Sequence, residues 1–141
     1  APKRRAPWGG GARDDLTGPV YGYFDAWNRR AIDEALMCCS PDVRYEDTLF
    51  PGEFSGREAL RAHLVKCEEA LPAGLRFVID EAAASGEMVG TRWHCELEDG
   101  TPLPMTRGAS MYRVRDGVIV EGFDVPEPTL KSGELTLGFL S

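Results

Sequence analysis

A tyrosine at position 23 and an aspartate at position 47 bracket the chemistry that this 141-residue chain could perform. They lie near the two ends of one run, Gly22 to Thr48, which reads as an amphipathic helix, a polar break, a short second helix and a strand ending at Tyr45-Glu46-Asp47. A carboxylate and a phenol brought into one short unit can accept and donate protons, which is what acid–base chemistry requires. Each residue also has a plainer role. Tyr23 lies on an apolar helix stripe, where a tyrosine is usually core, and Asp47 precedes Thr48-Leu49-Phe50-Pro51-Gly52, a segment in which its carboxylate can organise a turn. His94 stands two residues from Arg92 and two from Glu96, on one face of a strand; it could serve as a base or be satisfied by Glu96. His63 and Cys67, four apart on a helix, have the spacing of a metal pair, but they fall on a buried stripe and read as packing, so no metal site is expected.

The elements that must position these groups follow from periodicity. A helix is expected to begin near Thr17-Gly18-Pro19, with proline in the first turn. Val20, Tyr23, Phe24 and Trp27 then recur at i, i+3, i+4 and i+7 and form one apolar stripe. Asn28-Arg29-Arg30 interrupts, and Ile32, Ala35, Leu36 and Cys39 continue helically until Ser40-Pro41. Ser55 with Glu58 three residues on is a capping-box pattern for a third helix. Its buried side would be Ala59, Leu60, His63, Leu64 and Cys67, and Pro72 and Gly74 would end it.

From Leu75 the period becomes two. Alternation and the turn signals Asp99-Gly100 and Asp116-Gly117 predict strands over about 75–84, 87–98, 105–115 and 118–125, as an antiparallel meander. Helices first and strands afterwards define an α+β domain whose N-terminal helices pack on a curved antiparallel sheet. Val89, Thr91, Trp93, Cys95 and Leu97 make one strand side too apolar for water, so it meets either the helices or a partner. The divisions expected are a basic Pro/Gly-rich arm over 1–13, a single domain over 14–128 and a tail over 129–141.

Composition sets bounds. At 43% hydrophobic and 28% charged the chain is an ordinary globular one, and its net charge of −7 argues against binding nucleic acid, which needs clustered cations. The charge is uneven: the arm holds Lys3, Arg4, Arg5 and Arg13 and no acid, which leaves −11 on the rest. Such an arm could dock on an acidic partner or an anionic surface. Cys38, Cys39, Cys67 and Cys95 include no C-x-x-C pair and read as free thiols in a reducing compartment. No apolar stretch approaches the ~20 residues of a membrane span.

The run from Gly22 to Thr48 resembles the opening of the nuclear-transport-factor-2-like superfamily, small cone-shaped α+β domains with an apolar pocket. The wider resemblance, over about residues 18–135, is to the SnoaL-like proteins of plants and algae. It is carried by Phe50-Pro51 with Phe54-Ser55-Gly56, Arg92-Trp93-His94, Thr106-Arg107-Gly108 with Ser110-Met111-Tyr112, and Asp124-Val125-Pro126-Glu127-Pro128. Against the ketosteroid isomerases, Tyr23 matches the hydrogen-bonding tyrosine, Asp47 the general base, and Ser110 the place of a protonated carboxylic acid that completes their oxyanion hole, a case that the general chemistry of tuned carboxylates describes. Against limonene-epoxide-hydrolase-like proteins, Arg92 and Asp124 match two of three water-activating residues and His94 replaces the third. SnoaL-like cyclases work without a cofactor through an aspartate and a histidine in this region, which implies Asp124 with His94 as a second catalytic pair. The resemblance further implies a ligand site of Trp27, Arg92, Arg107, Ser110 and Tyr112, with Arg107 receiving a ligand carboxylate or pairing with Glu121 or Asp124.

Two functions follow. The first is a non-catalytic accessory or binding subunit of a larger protein assembly, because both borrowed catalytic patterns lose a member, at Ser110 and at His94. Its partners would be other protein subunits, met through the arm, the tail and the outer sheet face; a homodimer and a small apolar ligand are further options. Members of this family are frequently plastid-targeted, and Ala1-Pro2-Lys3-Arg4-Arg5 could follow a removed transit peptide, so the expected location is the chloroplast. The second is a cofactor-independent proton-transfer enzyme of isomerase, cyclase or epoxide hydrolase type, acting on a small apolar carbonyl compound or epoxide.

Overall fold

The computed structural model describes residues 14–129 together with Lys131 and Gly133. The roles expected of the arm, and of nearly all of the tail, fall outside the described residues. Helix α1 (Asp14–Asn28) begins three residues before the expected start and so contains Pro19 in its interior. Its stripe of Val20, Tyr23, Phe24 and Trp27 is buried as the spacing requires. Asn28 closes the helix and ties it to the sheet, its side-chain amide exchanging two hydrogen bonds of 2.9 Å with the backbone of Phe77. Arg30, at φ 59°, follows; its guanidinium lies 4.0 Å over the Trp27 ring and bonds the carbonyls of Pro72 and Leu75 at 3.1 Å.

Helix α2 (Ile32–Met37) is shorter than its periodicity suggests, because strand β1 (Cys39–Asp47) already starts at Cys39. Ser40 precedes a proline, which disfavours the helical region for it, and Ile119 captures the Cys38 carbonyl at 2.8 Å. Pro41 is accommodated where the pairing of β1 slips between Cys39 and Arg44, the irregular site at which a strand tolerates proline. Strand β2 (Glu53–Ser55) turns back on β1, and helix α3 (Arg57–Ala70) follows. The capping box does not form. Ser55 belongs to β2 with its hydroxyl against Glu53, and Gly56, at φ 88°, precedes the helix without a side-chain cap.

Strands β3 (Arg76–Ser85), β4 (Met88–Glu96), β5 (Gly108–Arg115) and β6 (Val118–Pro126) form the expected meander. Asp116 and Gly117 both take positive φ, as a tight hairpin turn requires. Asp99-Gly100 instead lies within a longer connection, so β5 starts at Gly108 rather than near 105. The sheet has six strands in the order β2-β1-β6-β5-β4-β3. It is mixed rather than wholly antiparallel: β1 runs parallel to β6, with Tyr45 opposite Gly122 and Asp47 opposite Asp124. Val89, Thr91, Trp93 and Cys95 are buried on the side facing the helices, which answers what that apolar face meets. Among the described residues no helix is long and apolar enough to cross a membrane.

Candidate active site

Two glycines decide where the polar groups of the concave face can reach. A Cβ on Gly122 would stand 2.3 Å from the Tyr45 ring, and one on Gly108 would stand 2.2 Å from the Trp93 ring. Each aromatic ring therefore lies flat across the neighbouring strand, where only glycine leaves room. Tyr45 thereby reaches Asp124, two residues beyond Gly122, and donates its hydroxyl at 3.0 and 2.9 Å to the two carboxyl oxygens. Trp93 reaches Ser110, two residues beyond Gly108, and donates its indole N–H at 2.8 Å to the serine oxygen. Ser110 in turn donates at 2.6 Å to Asp124 Oδ1. Three strands, β1, β4 and β5, thus deliver donors that converge on one carboxyl group.

That group lies at the polar end of a cavity of about 540 Å³ between the sheet and α1 and α3, a size suited to one small-molecule ligand. The remaining wall is largely apolar, with Phe24, Trp27, Leu64, Leu75, Phe77 and Trp93 prominent. Trp27 and Trp93 each meet the Phe77 ring edge-to-face, at 5.0 and 5.2 Å. Exposed Leu49, Phe50 and Met105 surround the mouth together with Lys66 and Arg107.

The electrostatics follow from burial. Asp124 is pushed up to about 7, chiefly because the protein around it disfavours a charge, with the neighbouring Asp47 adding to the shift and the Ser110 and Tyr45 hydroxyls opposing it. Oδ1 accepts from two hydroxyls and Oδ2 from one, which makes Oδ2 the oxygen with room for the proton. Tyr23, Tyr45 and Tyr112 are all held well above the ordinary phenol range by burial, so they stay protonated donors. Their rings are contiguous, with Tyr45 5.9 Å from Tyr23 and 6.4 Å from Tyr112.

Seven of the residues expected from sequence line this cavity: Tyr23, Trp27, Asp47, Arg107, Ser110, Tyr112 and Asp124. Asp47 takes the turn role expected of it, and its other carboxyl oxygen faces His63. Its Oδ1 accepts the Leu49 N–H at 2.9 Å and shapes the turn, while Oδ2 lies 3.8 Å from His63 Nε2. Arg107 lies at the mouth, and its partner is neither Glu121 nor Asp124 but Glu127, reached at 3.0 and 3.2 Å. Hydrogen bonds from Arg107 and Lys131 hold Glu127 down at about 2. Arg92 and His94 do not reach the cavity. Trp93 points inward, so its two neighbours point outward, where Arg92 meets Glu81 at 2.7 Å and His94 meets Asp80 at 2.8 Å and Glu96 at 3.0 Å. The pairing of Asp124 with His94 is therefore not assembled, and the two carboxylates raise His94 above its ordinary range.

Sequence reasoning missed Tyr45 and His63. Tyr45 sits two residues before Asp47 on the same strand face, a signal that was available. His63 is a polar side chain on the apolar stripe of α3, stacked on Phe54 at 4.2 Å and edge-on to Phe50 at 4.9 Å. Among the described residues no group of three or more His, Cys, Asp or Glu side chains is placed to hold a metal ion.

This fold and cavity belong with a family. The SnoaL-like domain model matches residues 20–122, and the chain belongs to the SnoaL-like family. Solved structures place it in the nuclear-transport-factor-2-like fold. A candidate polyketide cyclase from Sinorhizobium meliloti superposes with a TM-score of 0.65 at 21% identity, covering 79% of this chain and 96% of that one. A candidate ketosteroid isomerase from Kribbella flavida DSM 17836 gives 0.64 at 20% identity, covering 84% and 82%. An NTF2-like protein of unknown function from Cytophaga hutchinsonii ATCC 33406 gives 0.63 at 12% identity, covering 91% and 96%. At these identities the likeness establishes the fold. No curated protein sequence matches the chain.

Proposed function

We propose that this protein is a cofactor-independent proton-transfer enzyme acting on a small, largely apolar carbonyl compound held in the cavity. One observation carries the reading: the Asp124 carboxyl stands at the polar end of an apolar cavity, held by the Tyr45 and Ser110 hydroxyls, where its surroundings push it up to about 7. A carboxyl group that titrates near neutrality can give a proton to a carbonyl oxygen and take it back within one cycle. Tyr45 and Ser110 fix its orientation, and the aromatic wall supplies binding that needs no charge. The family membership and the structural likeness to a candidate cyclase and a candidate isomerase support this reading over the accessory-subunit one. The accessory reading rests on the two incomplete catalytic patterns, and two of the surfaces it assigns to partners, the arm and the tail, lie almost wholly outside the described residues.

The test is exchange of the α-hydrogens of 2-tetralone, an apolar bicyclic ketone, followed by proton NMR in D₂O. The protein is expected to accelerate exchange well beyond acetate at equal concentration, and Asp124→Asn to remove about 10²–10⁴-fold of that rate. Exchange no faster than with acetate would overturn the proposal.

A further inference from the structure

The cavity holds a second titratable group that the carboxyl chemistry of Asp124 leaves unused. His63 is buried on α3, one of its walls, between Phe50 of the β1–β2 loop and Phe54 of β2. Its Nε2 lies 3.8 Å from Asp47 Oδ2 and 3.7 Å from Cys67 Sγ. Asp47 is the residue directly opposite Asp124 on the neighbouring parallel strand. Asp47 therefore lies between the other two at the polar end of one apolar space, 3.8 Å from His63 and paired in register with Asp124.

We propose that His63 is the catalytic base of this site, that Asp124 is its acid, and that Asp47 balances the charge His63 acquires. The assignment rests on the proton-transfer reading above. In the forward step the α C–H bond of the ketone breaks and its proton goes to the His63 imidazole. The released electron pair forms the enol C=C bond, the carbonyl π pair moves to oxygen, and that oxygen takes the proton of Asp124. The products are a neutral enol, an imidazolium beside Asp47 and an Asp124 carboxylate; the reverse step returns all three.

The surroundings favour these starting forms. Burial lowers His63 and keeps it neutral, Asp47 opposes that and Lys66 adds to it, while the same burial keeps Asp124 protonated. Environments that push two groups in opposite senses sort them into base and acid. Cys67 is pushed up to about 11 by burial and by Asp47 and Asp124, so it remains a thiol and does not compete for the role.

Two probes separate the roles. Exchange of 2-tetralone needs base and acid together. Ring opening of 5-nitrobenzisoxazole needs a base alone: its C3 proton leaves, the electron pair forms the nitrile, the N–O bond breaks, and the stabilised phenolate departs without a proton. His63→Gln is expected to lose about 10²–10⁴-fold on both probes. Asp124→Asn is expected to lose tetralone exchange and to keep most of the ring opening. Asp47→Asn, which retains an oxygen for the Leu49 N–H, is expected to fold even where His63→Gln does not, and to move the His63 titration, read by imidazole NMR, to lower pH. Full activity of folded His63→Gln on both probes, with Asp124→Asn losing both, would make Asp124 the base and overturn the assignment while leaving proton transfer intact. An unmoved His63 titration in Asp47→Asn would also overturn it. A wild-type protein inert toward both probes would overturn the proton-transfer reading and this assignment with it.

Discussion

Gly122 lies directly under the ring of Tyr45, with its absent Cβ marking a point 2.3 Å from a ring carbon. That vacancy lets a tyrosine on β1 bend across β6 to hold Asp124. Trp93 over Gly108 repeats the device on β4 and β5, delivering the indole N–H to Ser110. Replacing either glycine by alanine forces a rigid aromatic ring off its site, at a cost of about 1–3 kcal/mol for overpacking. Urea unfolding of Gly122→Ala and Gly108→Ala should show that loss. Tetralone exchange should fall in both, because the Tyr45 hydroxyl moves with its ring and the Ser110 hydroxyl loses the indole N–H that holds it.

Removing the donors should retune the acid. Tyr45→Phe deletes a hydrogen bond that favours the ionised form of Asp124, so the carboxyl should hold its proton to still higher pH. The alkaline fall of tetralone exchange is then expected to shift upward. Ser110→Ala should act in the same direction. It should also leave the buried Trp93 N–H without its acceptor, at about 1–3 kcal/mol of stability.

Stability should carry the same signature. Asp124 is raised from 3.8 to about 7 in the folded protein. The native state therefore binds the proton more tightly than the unfolded chain. Its contribution is fully present below about pH 4 and is lost as pH rises through about 7. The loss is at most about 4 kcal/mol, from about 1.4 kcal/mol for each pKa unit. Asp124→Asn cannot ionise, so the stability difference between wild type and variant should grow in favour of the variant from pH 4 to pH 8. Chemical denaturation at those two pH values checks it; an unchanged difference would contradict the raised Asp124.

His94 and Arg92 should prove dispensable for catalysis. They occupy the outer sheet face, engaged with Asp80, Glu96 and Glu81. His94→Gln and Arg92→Gln are expected to leave both probe reactions within about twofold of wild type, since neither side chain reaches the cavity and the Arg92–Glu81 pair is exposed.

Much of this site was legible in the residues. The apolar stripe of the first helix placed Tyr23 and Trp27, and the family resemblance pointed to Asp47, Ser110, Tyr112 and Asp124. What failed did so for definable reasons. Arg92 and His94 were known to share a face, but the choice between inner and outer face belonged to Trp93, whose ring had a glycine to lie on. The helical look of Ile32, Ala35, Leu36 and Cys39 hid the start of β1, because the parallel partner that claims it lies some eighty residues away. Without β1 beside β6, the adjacency of Asp47 and Asp124 could not be read. His63 was dismissed as packing because its packing is real; its nearness to Asp47 depends on how α3 lies over that strand.

The most direct test is the titration of the Asp124 side-chain carboxyl carbon by NMR, assigned by its disappearance in Asp124→Asn. A midpoint near pH 7, moving higher in Tyr45→Phe, is the expected result. A midpoint at or below the ordinary aspartate value of 3.8 would contradict a proton-holding carboxyl at the heart of this cavity.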